Sequence, residues 1–462
     1  MNLPGGWRRI APSSAMDKTW NLKLGTRNLE LKKLVFIAAA ALVAASIGIK
    51  AWDALNVYID HPTRNFALAY DVDWAYLNRG LNQVHSFADT ARWWTGAWCG
   101  VVPFWRPLTS YVFWGMKLIW PPEYLLPRQI ISVFLHLCFI ALAGLFLQRM
   151  TRRRWLVLLT LWLFAGLRPF PLGCFSSGSV AVGDLLSDPK NVPDSLTGIC
   201  MLLSLLLLVN GKWLTGLIAA AASVGFKEMG FTTWPLALLT LAWVYRDRIT
   251  AERWKYMTSS VKRNRLPIAM WLLVLGLLVL IHVLTVGIGY RVGTNAYWYR
   301  RAGAYFAGPV GANMFLGNAA APVTAILLVV VIVGFRRLSP IPKFFGVLAC
   351  LAAGILLDAC MLHTTWEIAL ARMFAPELNL STVAICIVWL LVAWQAIRDW
   401  QTAAFGIAMS IIASMPTWLA TQTLEHTRYL ASFFIEIAVA VALLESGKAL
   451  AQILPTKKVL LR

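Results

Sequence analysis

Apolar runs of about the length needed to cross a bilayer recur from Leu34 to Glu445, and they dictate what this chain can fold into. A transmembrane helix needs about 20 mostly apolar residues, because the hydrocarbon core is about 30 Å thick. Twelve such segments can be read, at 34–51, 128–148, 155–170, 194–209, 213–226, 231–245, 266–289, 321–335, 344–361, 380–397, 403–421 and 429–445. Composition agrees. Of the 462 residues 59% are hydrophobic and 14% charged, against about 45–50% and 25% in soluble domains. A soluble globular protein, a disordered chain and a coiled coil are thereby excluded. The expected fold is all-α and polytopic, a single transmembrane module over 1–462 with about 12 transmembrane helices.

Charge decides how the segments alternate. The net charge is +21, which in a soluble protein would suggest nucleic acid. With the N-terminus in the cytoplasm, the cytoplasmic joints hold 27 of the 42 Lys and Arg residues but only 6 of the 21 acidic ones. The remaining 15 basic residues face 15 acidic ones. This is the asymmetry expected of cytoplasmic loops, so the basic balance reflects orientation and no nucleic-acid partner is implied. One span more or fewer would invert every later loop, so both termini are expected inside. The basic leader before Leu34 is long for a signal peptide, and the first run reads as an uncleaved anchor. The seven cysteines show no CxxC and no metal-ligand spacing, and most read as small core residues. No metal site and no cofactor are expected.

The polar residues left outside are few. The first outside loop, 52–127, is rich in Trp and Tyr, among them Trp74, Trp93, Trp94, Trp98, Trp105, Trp114 and Trp120. Such residues suit amphipathic helices in the headgroup layer. Asp60, Asp71 and Asp73 follow the first span, and Asp53 lies nearer the membrane. A carboxylate there can act as general base or can simply cap a helix. Arg106 precedes Pro107, which biases it away from helix and lets Pro107 open one. The helix expected over 107–120 is too short to span and is laid on the membrane. Arg106 can bind phosphate or anchor to headgroups. Lys227 and Glu228 form a charged corner between two apolar segments, a costly place for charge. Lys227 suits a phosphate, with Glu228 to orient it. His426, Arg428 and Tyr429 open the last span and suit a diphosphate or its leaving group. Glu228 alone cannot neutralise Arg106, Lys227 and Arg428. His136 and His282 read as core histidines, and Asp358 and Glu436 as acids facing polar partners inside the bundle.

In this order the motifs resemble those of the polytopic C-type (GT-C) glycosyltransferases, most closely the protein O-mannosyltransferase-like and related bacterial members. The likeness rests on Asp60 after the first span, on Trp105–Arg106–Pro107–Leu108, on Lys227–Glu228 and on Arg428–Tyr429. The run "NVPDSLTGIC", which enters the fourth segment at Asp194, is similar to the corresponding loop of that family. Many relatives carry paired acids near the first span, and here the second position is His61. No large soluble acceptor domain is expected.

The resemblance implies an enzyme in the bacterial inner membrane with its site facing the periplasm. It would transfer a sugar from a polyprenyl-phosphate donor with inversion. Asp60 would be the base, with Asp53, Asp71 and Asp73 as alternatives. Arg106, Lys227, Glu228, His426, Arg428 and Tyr429 would hold the donor phosphate. The partners implied are the polyprenyl-phosphate-linked sugar and the bilayer, with an acceptor that is a protein, lipid or glycan. The competing classes are a structural or assembly subunit and a lipid or solute transporter, which would want midplane charges and matched halves.

Overall fold

The computed structural model describes residues 14–59, 79–96, 98–99, 104–120, 125–166, 182, 185–186, 191–245, 265–286, 394–419 and 429–453. Every regular element among them is helical. The α-helices are α1 (Ser14–Ile59), α2 (Pro107–Ile119), α3 (Leu125–Thr151), α4 (Arg154–Ala165), α5 (Val192–Val209), α6 (Trp213–Phe226), α7 (Thr233–Val244), α8 (Arg265–Val286), α9 (Trp400–Leu419) and α10 (Tyr429–Ile453). Short 3₁₀ segments lie at Phe87–Trp93, Glu228–Thr232 and Ala396–Asp399.

Five described helices contain stretches long and apolar enough to cross a membrane: Lys33–Asn56 in α1, Leu125–Thr151, Val192–Val209, Arg265–Thr285 and Tyr429–Ala449. α4 and α6 are apolar but shorter, at 12 and 14 residues. Nine of the twelve apolar segments read from the sequence fall on described helices. Those at 321–335 and 344–361, and most of 380–397, lie outside the described residues.

Local chemistry explains several boundaries. α2 starts at Pro107, whose missing N–H is no loss in a first turn. α5 carries Pro193 and Asp194 in its first turn, where a carboxylate meets the positive end of the helix dipole. The joint from α5 to α6 closes at Gly211, which sits at φ +76° and lets the Lys212 N–H reach back to the Leu207 carbonyl at 2.8 Å. Glycine takes that left-handed conformation without a Cβ clash. α1 runs well beyond the first apolar segment, and no proline interrupts it between Ser14 and Ile59.

The packing defines two ends of one bundle. At one end the Gln129 side chain of α3 donates to the Ala54 carbonyl of α1, and Tyr429 at the start of α10 meets His136 of α3. At the other end Trp243 of α7 donates to the Met150 carbonyl of α3, and Arg153 pairs with Asp399 just before α9. Gln129 and Met150 are separated by about 32 Å of helix at about 1.5 Å per residue. Between the ends, Phe139, Phe164, Phe433 and Tyr429 interlock α3, α4 and α10, with the Phe139 and Tyr429 rings 4.4 Å apart.

Candidate functional site

A buried cluster of four charges lies at the Tyr429 end of the bundle. It starts from the corner where α6 stops. Lys227 leaves the helix in extended conformation, at φ −159° and ψ 148°, and Glu228 opens the 3₁₀ segment. The two side chains therefore part company. Lys227 turns to α5, where its Nζ donates to both oxygens of Asp194 at 2.6 and 2.7 Å. Glu228 turns to Arg106, whose Nε and Nη2 each lie 3.0 Å from Glu228 Oε2. All four side chains are buried. Two cations and two anions balance, as the low-dielectric surroundings demand.

Several elements hold this arrangement. The Arg106 guanidinium lies over two rings, 4.6 Å from the centre of Trp98 and 4.4 Å from that of Phe104. Such contacts are worth about 2 kcal/mol when desolvated. One turn on, Thr109 donates to the Phe226 carbonyl at 2.6 Å, which ties α2 to the end of α6. Ser110 joins the Arg106 carbonyl to the Cys99 N–H. Burial pushes the Cys99 thiol up to about 12, so it is chemically quiet. Gly230 presses the 3₁₀ segment against the backbone of Ser223 and Val224 in α6. The Ser223 hydroxyl also meets the Thr233 hydroxyl at 3.1 Å.

Beside the cluster, α5, the 3₁₀ segment and α10 leave a narrow crevice lined by Asp194, Thr197, Gly198, Met229, Tyr429 and their neighbours. The Tyr429 hydroxyl is 2.7 Å from His136 Nδ1, which fixes its direction. The Thr197 hydroxyl donates to the Ser223 carbonyl at 3.5 Å, and the crevice, about 10 Å³, has room for about one water.

The candidates read from the sequence divide as follows. Arg106, Lys227 and Glu228 meet in one cluster, and Tyr429 stands across the crevice from it. The pairing differs from expectation, since Glu228 serves Arg106 and Asp194 serves Lys227. Asp194 belongs to the site but had no role assigned from sequence. The signal for it was a lone acid opening an apolar segment, which needs a cation. Asp53 lies near the end of α1 and is exposed. Asp60, Asp71, Asp73, His426 and Arg428 lie outside the described residues, as does Asp358. His136 is a hydrogen-bonded core histidine, as read, and Glu436 is fully buried. Among the described residues no group of His, Cys, Asp and Glu has the geometry to hold a metal ion.

No family model, curated protein or solved structure matches this chain.

Proposed function

We propose that this protein is a polytopic membrane glycosyltransferase that moves a sugar from a polyprenyl-phosphate donor to an acceptor at the outer face. The observation that carries the proposal is the convergence of Arg106, Asp194, Lys227 and Glu228, far apart in sequence, in one buried cluster beside a crevice at one end of an apolar bundle. Charge within an apolar bundle is expensive and usually functional. The depth of the cluster adds support. α6 has 14 residues, about 21 Å of helix at about 1.5 Å per residue. With Lys212 at one hydrocarbon boundary, Lys227 stops short of the other side of a core about 30 Å thick. A lipid-borne phosphate could meet it there without leaving the bilayer.

In this reading Lys227 and Arg428 receive the donor phosphate, and Arg106 and Glu228 fix the corner. Asp60 takes the proton of the acceptor, with Asp53, Asp71 and Asp73 as alternatives. A lipid phosphate is already a fair leaving group, so an inverting displacement needs one base in line with it and no second acid. The twelve-span topology, the cytoplasmic termini and the periplasmic site belong to the same proposal. The ends of α8 and α9 support it. Phe231 of the corner packs on His282 near the end of α8, whereas α9 begins beside Arg153 at the opposite end. An odd number of crossings between them agrees with this topology, and the apolar segments read from the sequence at 321–335, 344–361 and 380–397 would give three.

One observation favours a second reading. The four charges neutralise one another, as in a structural brace of a subunit without chemistry. Transfer from a polyprenyl-phosphate-linked sugar in membranes separates the two. Asp60→Asn keeps the shape of the side chain and removes the base, so transfer should fall by about 10²–10⁴-fold at unchanged expression. Wild-type protein without transfer to any acceptor fraction would leave the brace.

A further inference from the structure

The crevice is the size of one water, and its lining decides whether it is wet. Asp194, Thr197 and Tyr429 bring polar groups to it, and Met201 and Leu430 bring apolar ones. Cavities that stay dry are apolar, whereas a buried water is held by about two to four polar groups. The polar groups here have capacity for one. Lys227 Nζ donates to both Asp194 oxygens at 2.6 and 2.7 Å, yet a carboxylate accepts up to about four hydrogen bonds. Thr197 spends its hydrogen on the Ser223 carbonyl, but its oxygen still accepts.

Tyr429 decides the direction. Its oxygen lies 2.7 Å from Nδ1 of the buried His136, and that bond uses either the phenol hydrogen or the ring hydrogen. With the phenol as donor, a water in the crevice would meet only acceptors: the Tyr429 and Thr197 oxygens and the Asp194 carboxylate. With the ring as donor, the Tyr429 hydrogen turns into the crevice. The water then accepts from Tyr429 and donates to Asp194 and Thr197. Every donor in that arrangement points toward the carboxylate, the charged acceptor, and bonds aligned in one sense strengthen one another.

We infer that the crevice holds one ordered water that accepts from Tyr429 and donates to Asp194, and that His136 donates to Tyr429 as the tautomer with hydrogen on Nδ1 and none on Nε2. A single hydrogen-bonded chain then runs from α3 through α10 to α5, where it meets Lys227 at Asp194. Which ring nitrogen carries the hydrogen is set by its partner, so a residue on α3 records what the crevice contains. This goes beyond the proposed function and does not depend on it.

Two measurements on the full chain in nanodiscs test the chain. Solid-state NMR of protein carrying ¹⁵N- and ¹³C-labelled histidine reports which ring nitrogen bears hydrogen. The His136 resonances are those lost in His136→Gln, or, should that variant fail to fold, those left when the other histidines are replaced in turn. Hydrogen on Nδ1 alone is expected, and hydrogen on Nε2 overturns the chain. X-ray radiolysis in H₂¹⁸O labels side chains that lie against ordered water. Met201, 2% exposed and lining the crevice, should take up the label, and Met409, 0% exposed in the core, should not. Equal labelling of the two overturns the water. Tyr429→Phe keeps the ring and removes the hydroxyl, so Met201 should lose its label and the His136 resonances should shift. A label that persists at Met201, or His136 resonances that stay in place, overturns Tyr429 as the link. Should Tyr429→Phe fail to fold, the wild-type tautomer and label decide alone. Neither readout uses sugar transfer, so their failure is distinct from failure of the transferase reading.

Discussion

Gly230 offers the sharpest test of how the charged corner is held. A Cβ built there would lie 2.3 Å from the Ser223 carbonyl carbon, 2.4 Å from the Val224 nitrogen and 2.6 Å from the Ser223 oxygen. All three are backbone atoms of α6, so no side chain can swing aside. Ordinary contact needs about 1 Å more, and overpacking of this kind costs about 1–3 kcal/mol. The 3₁₀ segment would have to move off α6 by that distance and carry Lys227 and Glu228 with it. Lys227 Nζ, now 2.6 Å from Asp194, would then leave hydrogen-bond range. A hydrogen bond to a charged group is worth about 1.5–3 kcal/mol. Gly230→Ala should therefore destabilise by about 2–6 kcal/mol. Gly276 in α8 meets nothing within 4 Å of its Cβ position, so Gly276→Ala should be stabilising by about 0.5–1 kcal/mol through reduced backbone entropy. The two variants share one chemistry and differ in expected sign. Scanning fluorimetry in detergent at a fixed scan rate compares them, as irreversible unfolding requires. Equal melting temperatures for the two variants would refute the packing argument.

Two further outcomes follow from the same geometry. Arg106→Met should cost about 3–5 kcal/mol because it strands Glu228, whereas Arg106→Met with Glu228→Leu should recover most of that loss; a double variant as unstable as the single would refute pairing as the cause. Near Phe87–Trp93, the backbone N–H groups of Ser86 and His85 donate to Asp89 Oδ2 at 2.8 and 3.0 Å and, His85 first, hold its carboxyl below the ordinary carboxylate value. A lowered folded-state pKa gives stability that is present above the unfolded value and is lost as pH falls through the folded one. Amide exchange at Ser86 should therefore quicken below the ordinary carboxylate range, and Asp89→Asn should remove that dependence.

What was legible in the sequence was local or periodic. The apolar lengths give the helices, and the Arg106–Pro107 step gives the start of α2 at the residue where it begins. The helix expected on the membrane surface packs one face inward, through Leu108 and Thr109 against the end of α6. The pairing inside the cluster was not legible. Adjacency in sequence makes Glu228 the natural partner of Lys227. Yet the chain turns from extended to 3₁₀ between them, and consecutive side chains at such a bend point apart. Partner choice there is a tertiary property, fixed by where α2 and α5 arrive. Asp194 looked like an ordinary helix-start acid for the same reason. Matching lone acids to lone cations across apolar segments, regardless of sequence distance, would have found it.

The two ion pairs are unequal. Arg106 has a planar, rigid head that meets Glu228 through two nitrogens and lies over two aromatic rings. Displacing it would break all of these contacts together. Lys227 is a point charge on a flexible stem, and Asp194 sits at a helix start beside a crevice of about 10 Å³. Arg106 and Glu228 are therefore the more rigid pair at this corner. Buried pairs are weak evidence for stability, since apolar residues of similar volume often serve as well. Four charges at one end of an apolar bundle are thus a costly way to hold a corner that apolar packing could hold, and that cost is the reason to test the corner for function.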